Sequence, residues 1–116
     1  MELNKTILAL KESEARYRRL FEASGDGILI LEADTGRIVD ANPHFLKLTG
    51  YAPDEIIGEL LWEVGPFKDT AISKASFASL LKKKYIRYED FTLTAENGRK
   101  INAEFAINFY RVDEKE

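Results

Sequence analysis

The side chains able to do chemistry in this sequence are few and poorly matched to one another. Ser24, Ser73, Ser76 and Ser79 are hydroxyl nucleophiles in principle, but His44 is the one imidazole in 116 residues and would have to serve as base for all four. No nucleophile-elbow or phosphate-loop spacing surrounds any of them. Gly25-Asp26-Gly27 lacks the context of a phosphate-binding loop and reads as a turn into a strand. The carboxylate pair Asp54/Glu55 is accounted for as acids in the first turn of a helix. With no cysteine there is no thiolate nucleophile, no zinc–thiolate or iron–sulfur site and no disulfide, which fits a reducing compartment. A single histidine removes multi-His metal sites. Lys82-Lys83-Lys84 with Arg87 makes a local basic cluster, read as a solvated helix end. A net charge of -3 argues against nucleic acid as a partner. Catalysis is therefore not expected of this chain, and His44 reads as a partly exposed surface histidine.

The length is that of one domain, and 45% apolar residues with 11% aromatics suffice for one modest core. No apolar run approaches the ~18 residues of a membrane span, and the N-terminus has no signal-peptide pattern, so a cytoplasmic segment without membrane contact is expected. Leu3, Ile7, Leu10, Glu14, Tyr17 and Phe21 are spaced 4, 3, 4, 3, 4, the seam of a heptad helix running from Met1 to about Ala23. Three heptads with a polar Glu14 on the seam are marginal alone. The stripe must bury against the body of the domain, a second copy, or both in part, with Leu20 and Phe21 expected to touch the body.

Ile28-Leu29-Ile30-Leu31 is a continuous apolar run, expected as a strand covered on both faces, and Asp34 to Arg37 turn it into a second strand over Ile38 to Ala41. Asn42-Pro43 opens a helix: the Asn side chain is a favoured N-cap acceptor, and proline at the first helical position has its φ preset. Gly50 and Gly58 stop two short helices. Asp69 or Thr70 is expected to cap a longer helix with the stripe Ile72, Phe77, Leu80 and Leu81 and the lysines at its end. From Tyr85 the period changes to two. Asn97-Gly98 joins two strands of a hairpin with one dry face, and the phase slip between Tyr88 and Phe91 predicts a bulge near Glu89 or Asp90.

These elements make an α+β domain with an antiparallel sheet. The order of Arg19-Leu20-Phe21-Glu22 before Asp26-Gly27-Ile28, then Ile38-Val39-Asp40-Ala41-Asn42-Pro43, then Leu48-Thr49-Gly50-Tyr51 with Glu55-Ile56-Ile57-Gly58, and finally Glu96-Asn97-Gly98, resembles a PAS domain. The resemblance covers Arg19 to Val112, giving an N-terminal heptad helix over 1–18 and a PAS domain over 19–116. It implies a five-stranded antiparallel sheet with short helices on one face. Four strands are present before Val112, so the last one, which in the family lies between the first and fourth, reads as missing. The expected consequence is an incomplete or rearranged sheet, either paired by a neighbouring chain or closed directly across the gap.

The resemblance further implies a non-catalytic sensory and dimerisation module of a signalling protein, most commonly a two-component sensor histidine kinase, with an output domain as partner. A diguanylate cyclase or transcriptional regulator as parent, or a structural dimerisation module without ligand, are the alternatives. Covalent flavin chemistry is not expected without a cysteine, nor is histidine-ligated haem, since haem-binding members carry their histidine on the long helix and none lies between Ile72 and Lys84; another cofactor, or none, is open. In the PAS arrangement Ile28, Ile30, Phe45, Leu48, Trp62, Phe77, Leu81, Phe91, Phe105 and Ile107 would face inward, either lining a small cavity or simply filling the core. A homodimer is expected through Leu3, Ile7, Leu10 and Tyr17 on the heptad seam.

Overall fold

The computed structural model describes residues 2–68, 70, 72–83 and 85–110, with side chains from residue 12 onward. Helix α1 (Glu2–Ala23) leads into strands β1 (Gly27–Glu32) and β2 (Ile38–Ala41), which pair antiparallel. Two short helices follow, α2 (Pro43–Thr49) and α3 (Pro53–Ile56), then two 3-10 turns at Leu61–Glu63 and Gly65–Phe67, helix α4 (Lys74–Leu80), and the hairpin of β3 (Tyr85–Thr94) and β4 (Lys100–Tyr110).

The caps explain where the helices stop and start. Gly50 ends α2 in the left-handed conformation at φ 84°, which its missing Cβ makes inexpensive, and its amide donates to the Leu46 carbonyl. Helix α4 is shorter than the apolar stripe predicts. Ser73 caps it, with Ser73 and Ser76 forming a reciprocal capping box, while Thr70 accepts from the Ile72 amide and holds a turn before it. Lys82 and Lys83 lie past its end; Asp69 and Lys84 are outside the described residues.

The sheet has the order β2-β1-β4-β3. β3 and β4 are antiparallel, but β4 lies directly beside β1 and parallel to it, from Gly27 opposite Phe105 to Glu32 opposite Tyr110. Of the two outcomes expected of a four-stranded chain, the described residues show direct closure, and this one pairing departs from the all-antiparallel expectation. A second difference lies in β1, whose residues alternate between buried and half-exposed. Leu29 and Leu31 enter the core, whereas Ile28 and Ile30 face the other side, so the strand is dry on one face only.

The predicted bulge is present, with the register slipping between Tyr88 and Phe91. Asp90 there has φ 56°, the one described non-glycine residue at positive φ. Aspartate tolerates that conformation and a β-branched residue does not. Asp90→Val should therefore cost about 1–2 kcal/mol in urea unfolding, while Asp90→Gly stays within about 0.5 kcal/mol of the parent.

The core between the sheet and the short helices is aromatic. Phe105 is fully buried, with ring centroids of Phe45, Phe67, Tyr88 and Phe91 at 6.1, 5.6, 5.1 and 5.5 Å. Phe67, supplied by the Gly65–Phe67 turn, joins this cluster against Phe45, Phe91 and Phe105, although the local sequence Gly65-Pro66 reads as a chain breaker.

Candidate functional site

The joint between α1 and the sheet is held by several bonds at once, and Asn42 makes it. Its Oδ1 accepts from the Phe45 amide at 3.0 Å, the expected N-cap bond, and also from the Ile28 amide at 2.9 Å. Its Nδ2 donates to the carbonyls of Phe21 and Asp26, both at 3.0 Å. A carboxamide offers two acceptor and two donor positions, and here each is used. Its orientation is unambiguous, because a flipped amide would aim its N–H groups at two backbone N–H groups. The side chain is fully buried and ties together the last turn of α1, the connector, the start of β1 and the start of α2. Phe21 supplies the apolar counterpart, being almost wholly buried beside it.

Next to this joint the last turns of α1 border the solvent side of the sheet. The bulge at Val39 brings Asp40 opposite Ile30, on the same face, where Arg18 reaches its carboxylate at 3.3 Å. The Arg18 guanidinium also sits 5.8 Å from the Phe21 ring centroid, and the Tyr17 and Phe21 rings stack at 5.6 Å. Partial burial, with the Asp40 carboxylate adding to it and Arg18 opposing, pushes the Tyr17 phenol above its ordinary pKa, so it stays neutral. Leu20, by contrast, is 68% exposed rather than packed on the body. Tyr17, Leu20, Phe21, Ile28, Ile30 and Tyr110 border an open, mainly apolar groove of about 430 Å³ along this face.

The ten inward-facing candidates are therefore not one set. Phe45, Phe77, Phe105 and Ile107 belong to the buried core, with Leu48, Trp62, Leu81 and Phe91 packed at its margin. Trp62, Phe77 and Leu81 border a second open groove of about 310 Å³ beside α4, where the Trp62 and Phe77 rings lie 5.2 Å apart. Ile28 and Ile30 belong to the outer groove under α1, on the far side of the sheet, because β1 alternates strictly and Leu29 and Leu31 take the inner positions. Of the heptad positions, Tyr17 is 44% exposed on the groove's edge; the side chains of Leu3, Ile7 and Leu10 lie outside the described residues.

Ser24, Ser73, Ser76, Glu55 and Arg87, among the residues considered for chemistry, are engaged structurally. Ser24 shares a shallow groove with the half-buried His44, and its Oγ accepts from the Asp26 amide at 3.1 Å. Ser73 and Ser76 are the capping box of α4, and Glu55 returns to the Ala52 amide at 2.9 Å. Arg87 does not extend the lysine cluster; Asp26, Glu104 and Glu89 surround it at 2.8, 3.1 and 3.4 Å. No cluster of metal-binding side chains occurs among the described residues, and no described helix is long and apolar enough to cross a membrane. The Arg87–Asp26 pair and three of the four Asn42 bonds join residues far apart in sequence, and no local pattern announces them.

Comparison with known proteins places this arrangement. A family model for the PAS domain matches residues 15–83. The chain is 30% identical over 115 residues to the sensor histidine kinase TmoS of Ectopseudomonas mendocina, covering 97% of this chain and 12% of that much longer protein. A domain of a sensory box sensor histidine kinase/response regulator from Geobacter sulfurreducens superposes with a TM-score of 0.66 at 30% identity, over 82% of each chain. The PAS domain of an HTR-like protein from Haloarcula marismortui does so at 0.64 and 25% identity, over 87% of this chain and 82% of that one.

Proposed function

Because the chain belongs to the PAS-domain family, we propose that it is a non-catalytic module of a cytoplasmic two-component sensor histidine kinase, pairing with a second copy through α1 and relaying a signal through that helix. The observation that carries the relay is the Asn42 knot, which makes the position of α1 depend on β1, α2 and the connector together. An input that alters the sheet or its groove can then change how α1 sits, by as much as it binds or favours one packing over another. The aromatic filling around Phe105 supports a relay that needs no ligand in the interior. The outer groove and the exposed Leu20 and Tyr17 support α1 as the pairing element, in continuity with the heptad seam.

Sedimentation velocity tests the pairing. Ile7→Asp and Leu10→Asp place a charge on the seam and should convert a dimer to a monomer at micromolar concentration with the fold intact by circular dichroism. A parent chain already monomeric at several hundred micromolar, or a dimer indifferent to both substitutions, would overturn it.

A further inference from the structure

We propose that Arg87 and Asp26 form a strap across the outer face of the sheet that holds the angle of α1 against it. Arg87 on β3 lies opposite Ala106 on β4, which in turn lies opposite Ile28 on β1. Asp26 precedes β1 in the connector. To reach it, the Arg87 side chain crosses β4 over Ala106, whose methyl group leaves the room and which is 4% exposed although it is on the solvent face. The crossing spans the parallel β1/β4 seam and ends in a 2.8 Å contact from Nη1 to the Asp26 carboxylate. Glu104 at Nη2 and Glu89 at Nε lie on the same hairpin as Arg87 and hold the guanidinium in line.

The connector is thereby gripped from two sides. Asn42 holds the Asp26 carbonyl from the interior, and Arg87 holds its carboxylate from outside. Exposed ion pairs contribute little to global stability, but this one joins residues 61 positions apart at the pivot of a helix of 22 residues. Such a helix is about 33 Å long, so a pivot of about 10° carries its far end through about 6 Å. The strap makes the β3/β4 hairpin a controller of α1. This deepens the relay reading and rests on it for its consequence, while the strap itself is a property of one chain.

The absence of cysteine lets two introduced cysteines, at the exposed positions Glu12 and Thr92, carry spin labels uniquely. Double electron–electron resonance on labelled protein diluted in an excess of unlabelled chain then reads the distance from α1 to the sheet within one molecule. Arg87→Gln and Asp26→Asn should each broaden the distribution about twofold or shift its mean by about 3 Å, since Glu12 lies about 16 Å along α1 from the pivot. Together they should do no more than either alone, Glu104→Gln should leave the distribution narrow, and melting temperatures should stay within about 5 °C of the parent. An unchanged distribution in either single variant, or a double variant that sums the two effects, overturns the strap. Should Arg87→Gln fail to fold, Asp26→Asn alone decides. Repeating the series on the Ile7→Asp chain separates failure of the strap from failure of pairing.

Discussion

Asn42→Ala is expected to lower the free energy of unfolding by about 3 kcal/mol and the melting temperature by about 12 °C. A lost N-cap alone costs about 1 kcal/mol. Here the same truncation also strips the buried Phe21 carbonyl of its partner, at about 1 kcal/mol, and the part-buried Ile28 amide and Asp26 carbonyl of theirs, at about 0.5 kcal/mol each. Asn42→Asp distinguishes the parts: it keeps the acceptor for Phe45 and Ile28 but turns an oxygen toward two carbonyls, so it should be no better than alanine. Urea unfolding with amide exchange checks both. A loss near 1 kcal/mol for Asn42→Ala, with protection of the Ile28 amide retained, would reduce Asn42 to a helix cap and remove the coupling of α1 to the sheet.

Phe105→Ala should cost still more, about 4 kcal/mol and about 15 °C, because it empties the centre of a cluster in which four other rings meet. Phe105→Leu, which keeps most of the volume, should cost about 1.5 kcal/mol. The pair of values measures how tightly the interior is filled. If alanine at this position cost less than about 2 kcal/mol, the core would be loosely packed and would have space for an internal ligand, contrary to a relay that works without one.

The parts of the fold that repeat locally were open to reading from the chain itself. The heptad spacing marks α1, Asn42-Pro43 and Gly50 bound α2, and Asn97-Gly98 with alternating apolar residues sets the β3/β4 hairpin and its bulge. What escaped depends on parity or on distant partners. Ile28 to Leu31 are equally apolar, so nothing in that run says which two side chains face the core; the register with β4 decides it. Phe67 follows two breakers and still becomes a buried core residue because the turn aims it inward. The apolar stripe from Ile72 predicts helix α4 too long, because the Ser73/Ser76 capping box inside it starts the helix. The site is split in the same way: the cap role of Asn42 is local, while its other three bonds and the Arg87–Asp26 contact need the folded chain.

Native mass spectrometry of the freshly purified protein, with and without Ile7→Asp, tests the central claim most directly, since it reads pairing and bound mass together. The account predicts a species of twice the chain mass with nothing added, and a single chain mass once the seam carries aspartate. A single-chain species from the parent at high concentration, a dimer that survives the substitution, or a stoichiometric small molecule retained by the chain would contradict it.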